Sequence, residues 1–543
     1  NKLVDYKVNL KKESNEYRKW EYCVQYNESD FNFISRLMET EGIYYYFEHT
    51  AEKHIMVMAD RNSAHSAFPG FEQVTFNSEV ERLKTTLDSL DTWAAIQSFL
   101  PAKYASKVYD FENPKSDLLV PYIPPKKGHV WPIQEPEVFD YPGDFMTRKE
   151  GQDYTEVRLQ EIQCQQERMK ASGGCRGLSP GCSFTLKDFP REDQNKEYLT
   201  ISIEHDINNN AFFSNEGVMA PLYRCSIEVM PLDAKSNVTF RTPRKTPKPR
   251  VHGPQTAVVV GPKGDEIYTD EYGRVIVQFH WDRYGTSDEN SSCWVRVSQL
   301  WAGTKWGGIH IPRIGQEVIV SFLEGDPDQP LITGNVYNAN CMPPYTLPSD
   351  KTQSGIKSRS TLKGAADNFN EIRMEDKKGS EELYIQAEKN ETILVKNDKS
   401  EKVGHNEKIN IGNDRSETVG NDETIHVKND REETVDNDET LTVGNDRERN
   451  VGNDESVVVG NDKSKSIGKN ETITVGEKQQ VDVGKDQQVS IAQNRGLTVA
   501  KDHNVSVGDN ESRDIGKDLV INVGDSIMLK CGKASISMKK NGD

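Results

Sequence analysis

Three histidines and an aspartate fall close together near the start of the chain: His49, His54, His65 and Asp60. Imidazole and carboxylate are zinc donors, but zinc sites draw on recurrent ligand spacings and this set matches none of them. Paired Asp and Glu are abundant, and two carboxylates flanking a bond are the machinery of glycoside hydrolysis. Many of these pairs recur at short turns in the last third of the chain, where solvated charge is the expected role. No phosphate loop, nucleophile elbow or HExxH pair occurs. Eight cysteines are scattered without a CxxC pair, the nearest two being Cys175 and Cys182. They read as reduced thiols of a cytosolic protein, neither a zinc centre nor a disulfide scaffold. The side chains point away from an enzyme, with a cell-wall hydrolase the distant alternative.

The elements that hold these residues must be built from a lean composition. The chain has 543 residues, enough for three or four domains. Its 86 acidic and 68 basic side chains leave a net charge of −18. That balance opposes nucleic acid as a partner, because phosphate binding needs Lys and Arg to replace counterions. Only 34% of residues are hydrophobic and the mean hydropathy is −0.75, so part of the chain must order without a large core of its own. No apolar run reaches the roughly 18 residues of a membrane-spanning helix. The opening Asn1-Lys2-Leu3-Val4-Asp5 has neither an initiator Met nor a signal sequence, and reads as a cut in a longer chain.

An internal period is the strongest feature. From Val395, a Val or Ile recurs every eight residues: Val403, Ile411, Val419, Val427, Val435, Val443, Val451, Val459, Ile467, Val475, Val483, Ile491, Val499, Val507, Ile515 and Val523. Most are followed by Gly and then a polar pair such as Asn413-Asp414. Val and Ile favour extended backbone, and Gly with Asn or Asp favours a corner. Each octad is therefore expected to be a short strand plus a turn. Two residues before each Val, on the same strand face, Ile393, Ile409, Ile425, Leu441, Val457 and Ile473 alternate with Glu401, Glu417, Glu433, Arg449 and Lys465. Apolar and charged layers thus alternate in the proximal half, and Val481, Val489, Leu497 and Val505 pack the distal half more fully.

One or two inward side chains per octad cannot offset the backbone entropy of an isolated chain. Three chains wound around a shared axis would bury them all and leave few free strand edges. At about 4.8 Å per layer such a rod is on the order of 80 Å long. A single-chain solenoid with two or three octads per turn is the rival. A calcium-binding solenoid requires a Gly-Gly-x-Gly-x-Asp nonad that this period does not match.

Upstream, residues 1–240 read as mixed α/β or mostly β. Ser29 caps a helix with apolar positions Phe31, Ile34, Leu37 and Met38, stopped by Gly42 and followed by a strand at 43–47. A second helix is expected at Tyr154–Gly173, with strands at Tyr198–His205 and Tyr223–Met230. The hub aromatics Tyr44 and Phe47 are expected in the core. Arg241–Arg250 is a basic, proline-rich joint expected to pair with acidic protein surface. Residues 251–345 carry strand signals at Thr256–Val260, Arg274–Trp281, Cys293–Gln299, Gly308–Ile311, Glu317–Leu323 and Leu331–Val336, the size of an OB-fold. Such barrels often bind oligonucleotides on a basic aromatic face. Trp281, Trp294, Trp301 and Trp306 supply aromatics, but Asp265, Glu266, Asp270, Glu271 and Asp282 oppose that use.

The run Glu21-Tyr22-Cys23-Val24-Gln25-Tyr26-Asn27-Glu28-Ser29-Asp30-Phe31-Asn32-Phe33, continuing into Glu41–Phe47, resembles the hub of VgrG proteins, the spike of the type VI secretion system. Gly264–Val275, Gln278–Asp282, Trp294–Val297, Ile311–Gly315 and Glu324–Asp328 are similar to the family's OB-fold, and Ser354–Ser360 with Glu371–Asp376 to its passage into the needle. The resemblance implies a mainly β fold. It comprises a β-barrel-rich, phage-hub-like domain with some helix over 1–250, an OB-fold barrel over 251–345, a neck over 346–392 and an intertwined triple-stranded β-helix over 393–543. It implies a homotrimer docked on a tube of Hcp hexamers and attached to baseplate proteins. A PAAR-repeat protein would sit at the needle tip, with effectors and their adaptors as cargo. It further implies assembly in the bacterial cytoplasm without a signal peptide, then secretion and mechanical piercing of a target membrane. No cofactor or metal is implied. The family's N-terminal hub segment precedes Asn1, so the tube-facing half is expected to be incomplete, and neither a lysozyme insert nor a trailing toxin has room.

Overall fold

The computed structural model describes residues 5–13, 16–78, 88–124, 136–208, 223–232 and 238–542; the opening residues Asn1 to Val4, read above as a cut, lie outside them. The chain divides into two compact units, Asn1–Lys402 and Val403–Asp543. The described residues are mainly β, with two α-helices.

The first unit begins with helix α1 (Asp30–Glu41). Ser29 Oγ accepts from Asn32 N at its start, and Gly42 ends it at φ 74°. A Cβ at Gly42 would lie 2.6 Å from Val157, so both the left-handed turn and the close approach need glycine. The chain then enters the strand Tyr44–His49, paired antiparallel to His54–Ala59. Tyr44 is buried as expected, whereas Phe47 is 38% exposed. Alternation along the strand sends the two to similar depths only if both sheet faces are covered, and Phe47 lies towards the turn of the hairpin.

Six strands close a barrel in the order Glu197–Ile207, Tyr223–Pro231, Glu167–Gly173, Ser89–Gln97, Gln73–Phe76, Cys182–Lys187 and back to Glu197–Ile207. Its interior is filled by side chains including Leu90, Met169, Phe184, Leu186, Tyr198 and Val229. Helix α2 (Arg148–Gln163) opens on a capping box between Thr147 and Glu150. The helix expected at Tyr154–Gly173 is therefore only half helix: the chain turns at Cys164–Gln166, and Glu167–Gly173 is a barrel strand. Met169 and Ala171 alternate with exposed Lys170 there, and two neighbouring strands offer hydrogen-bond ladders that outweigh helix propensity.

Arg158 ties the two helices together. It is 1% exposed, donates from Nη2 to the carbonyls of Glu39 (2.6 Å) and Thr40 (3.0 Å), and ion-pairs with Glu161 at 2.8 Å. The last carbonyls of a helix lack internal partners, and a buried guanidinium supplies them at the end of α1.

The proline-rich segment Arg241–Arg250 runs without helix or strand and hands its charges to acidic and carbonyl groups. Arg241 donates to Gly42 O and Gln160, Thr246 to Glu39, and Lys248 Nζ lies 2.6 Å from Asp326. It leads into the OB region, whose sheet order is Ile276–Phe279, Gln255–Val260, Glu317–Phe322, Pro330–Val336, Arg296–Val297. A bridge between Val275 and Val295 closes this sheet into a barrel around Val259, Val277, Phe279, Val318 and Ile332. The strand expected over Cys293–Gln299 shrinks to two residues. That at Gly308–Ile311 is displaced to Trp306–Gly308, which pairs with Trp301–Gly303 in a small hairpin outside the barrel. The region 353–386 forms a separate three-stranded antiparallel sheet.

The segment before α1 is tied to the OB region through Asp328, whose Oδ1 accepts from Val24 N at 2.7 Å. Burial and the neighbouring Asp326 push its pKa to about 6, against the pull of the Val24 N–H, Lys248 and Arg36. An acid raised in the folded state contributes stability that is full below its unfolded pKa and lost as pH rises through the folded one. The Asp328 contribution is therefore lost between about pH 4 and 7, whereas buried His65, whose pKa is lowered, titrates with the opposite sign. Comparing melting temperatures of wild type and Asp328→Asn across that window isolates the carboxylate. The variant is expected to lose this falling component. An unchanged profile would mean that Asp328 stays ionised throughout.

Candidate assembly face of the octads

The residues that invited a catalytic reading are not brought together. His49 and His54 face each other across the end of their hairpin, with ring centroids 6.2 Å apart. His65 is elsewhere, 2.7 Å from the Tyr44 hydroxyl and 2.8 Å from Gly181 O, and burial lowers its pKa. Asp60 accepts from Lys11 N and the Tyr17 hydroxyl. Among the described residues, no three or more His, Cys, Asp or Glu side chains gather as a metal would need. The four tryptophans also part company. Trp281 stacks on Phe279 and donates to Gln255, Trp294 packs on Tyr268, and Trp301 and Trp306 form an exposed edge-to-face pair.

The octads present one regular face. Between Gln386 and Ser526 the described chain has no strand, as expected of a repeat whose strands would pair with those of other copies. The physical reason is that a strand needs a ladder partner, and a chain that runs on without folding back offers none. Every residue from 387 to 526 is exposed, so the chain does not coil on itself to bury the repeat, as the single-chain solenoid requires. Exposure nevertheless follows the period. The predicted core positions Val403, Ile411, Val419, Val427, Val435, Val443, Val451, Val459, Ile467, Val475, Val483, Ile491, Val499, Val507, Ile515 and Val523 lie between 42% and 53%. The apolar residues two before them, such as Ile409 and Val489, lie near 60%, while Val458, one residue before Val459, is 91% exposed. Two rows of side chains share one side of the ribbon, and a third points away.

The charged members of the second row each carry a counterion, which sequence reasoning missed. Glu401, Glu417 and Glu433 pair with Lys399, Arg415 and Arg431 two residues earlier, at 2.7–3.0 Å. Arg449 and Lys465 pair instead with Glu455 and Glu471 in the following octad, and Arg513 with Glu511. The signal was available: where the row carries Glu, a cation stands two residues before it, and where it carries Arg449 or Lys465, an anion stands six after. Charged layers built this way are neutral before any partner arrives. The Asn-Asp corners are likewise closed locally, Asn413 donating to Asp414 and Asn445 to Asp446.

Comparison with known proteins matches this architecture segment by segment. Residues 2–211 match the family of the phage tail baseplate hub, and residues 256–337 the injector OB domain shared by type VI secretion systems and phage baseplates. Residues 354–467, 417–491 and 461–538 match the C-terminal trimerisation domain of bacteriophage T4 gp5. The type VI secretion system spike protein VgrG1a of Pseudomonas aeruginosa is 48% identical over 391 residues, covering 72% of this chain and 59% of that protein. The chain thus spans well under two thirds of that relative's length. The actin cross-linking toxin VgrG1 of Vibrio cholerae is 36% identical over 388 residues, 71% of this chain and 34% of that protein. A solved E. coli type VI secretion component aligns with 61% of this chain and 66% of its own at 17% identity and a TM-score of 0.39. On the identity and coverage of its curated relatives, this chain belongs to the VgrG family of type VI secretion system spike proteins.

Proposed function

We propose that three copies of this chain wind their octads into one needle, and that the assembly serves as the rigid spike of a type VI secretion system. The observation that carries the reading is the unbroken row of Val and Ile, equally half-exposed in the single chain and laid along one side of it. Such a row is too exposed to be a private core and too regular to be incidental surface. Shared among three chains, each layer gains three apolar side chains and completes its backbone hydrogen bonds with neighbours. A continuous ladder of that kind resists bending, because a bend must break many bonds at once. The role is mechanical and not enzymatic. The hub would dock on the Hcp tube and the baseplate, with a PAAR-repeat protein at the far end. Effectors and adaptors would ride on a particle that assembles in the cytoplasm and then leaves the cell to pierce a target membrane.

Sedimentation equilibrium of the purified chain tests the reading. A mass three times 61.4 kDa is expected. A monomer that keeps its β content would overturn it in favour of a single-chain solenoid.

A further inference from the structure

The regularity of the octads creates an ambiguity. The first row, Val or Ile, repeats every eight residues from Val395 to Val523, and most corners repeat with it. A neighbouring copy displaced by one octad would meet the same inward side chains and the same turns. Pairing register is weakly specified where a pattern overlaps itself, so the first row cannot distinguish one alignment of two copies from another.

The second row, two residues before the first, does not overlap itself. Apolar and charged members alternate from Ile393 to Ile473, the charged ones being Glu401, Glu417, Glu433, Arg449 and Lys465. Val481, Val489, Leu497 and Val505 then follow in succession until Arg513. A copy displaced by one octad sets a charged residue beside an apolar one in every layer from 393 to 473. A displacement of two octads matches Glu401 with Glu417 again, but it must also move the end of the alternation. Lys465 then falls beside Val481, and Arg513 beside Leu497.

The counterions define what a mismatch costs. Glu401, Glu417 and Glu433 hold Lys399, Arg415 and Arg431 within their own octads, whereas Arg449 and Lys465 hold Glu455 and Glu471 in the next. A charged layer is therefore neutral in any alignment, and repulsion is not the penalty. The penalty is an ion pair stripped of water beside Val or Ile, where its own attraction does not offset the lost hydration. Nor does the strand itself demand charge at these positions, since Val481 to Val505 fill the same row with apolar residues.

We infer that the second row is the alignment code of the needle: it fits a second copy of this chain in one register and disfavours copies displaced by whole octads. The inference rests on the trimeric reading above and adds to it which residues choose the register. Isolated polar positions in an apolar seam serve this purpose in coiled coils.

Two versions of the full chain, Val459→Cys and Val475→Cys, place new thiols two octads apart on the first row. Equal amounts are mixed in denaturant, assembled together and treated with glutathione disulfide, which is reduced to two thiols for each disulfide formed. Linked peptides are identified by mass spectrometry. With the natural second row, position 459 is expected to link to 459 and 475 to 475, with little mixed linkage. With Glu401, Glu417, Glu433, Arg449, Lys465 and Arg513 all replaced by Ile, the particle is expected to keep its trimeric mass. Mixed 459–475 linkage should then rise about tenfold or more, which a mismatch of only about 1.4 kcal/mol in the natural row would have suppressed. Thr at the same positions removes the charges with less apolar surface, and the same rise is expected. A trimer whose mixed linkage rises in neither variant overturns the code and leaves the spike standing, its register then set by the hub and neck. Variants that no longer trimerise would show the charges holding the copies together instead of aligning them, and overturn it too. A natural chain that is monomeric overturns both readings.

Discussion

Replacing Val459 by Asp is expected to open the needle around that layer, whereas Val458→Asp one residue away should leave it intact. The two valines differ in exposure: Val459, 46% exposed in the lone chain, belongs to the row proposed to face inward, while Val458 is 91% exposed. In a trimer Val459→Asp sets three carboxylates at one axis without counterions. An uncompensated buried charge costs several kcal/mol after relaxation, and three like charges repel one another as well. The neighbouring octads cannot make up the loss. One well-buried Val contributes about 1.5–3 kcal/mol, while ordering eight residues of backbone costs on the order of 10 kcal/mol. Each layer therefore depends on the continuity of the stack. Amide exchange should quicken in the octads flanking 459, and a band that resists SDS before boiling should become labile. If Val458→Asp were the more damaging of the two, the inward row would be misassigned.

Arg158→Ala is expected to destabilise the first unit by about 3–5 kcal/mol, the usual cost of removing one partner from a buried ionic network. It would take the guanidinium donor from the carbonyls of Glu39 and Thr40, leaving Glu39 O the 3.3 Å bond from Gly42 N, and would leave Glu161 only its contacts to Arg244. Arg158→Lys should recover only part of this, since one ammonium cannot reproduce the fork that reaches two carbonyls and a carboxylate together. The melting transition of the hub would report the loss. A decrease below 1 kcal/mol would mean that water satisfies those carbonyls.

Some of the hub was legible because its signals are local. Ser29 and Gly42 mark the helix α1 from cap to stop, and both are realised in the structure, whereas its apolar Phe31 and Ile34 are exposed and Ser35 and Arg36 are its buried side chains. The second helix was half misread because periodicity over Tyr154–Gly173 does not reveal that Glu167–Gly173 has a ladder waiting on either side. The same reasoning explains the small hairpin Trp301–Gly303 with Trp306–Gly308, whose pairing depends on a turn that a list of strand-prone residues does not show. Arg158 carried no sequence signal at all. A lone arginine in a charged helix looks solvated until the end of α1 is packed over it.

For the octads the sequence by itself determined the period, the row of Val and Ile, and the incompleteness of a single copy. These depend only on residue type and spacing along an extended backbone, where direction repeats every two residues. The charge pairs follow from spacing as well, Arg449 and Lys465 reaching forward to the next octad while Glu401 and Glu417 reach back within their own. Tertiary structure alone decided that Asp328 bridges residues 304 positions apart. Spacing fixes what lies on one ribbon face; only folding brings together groups that the chain keeps far apart.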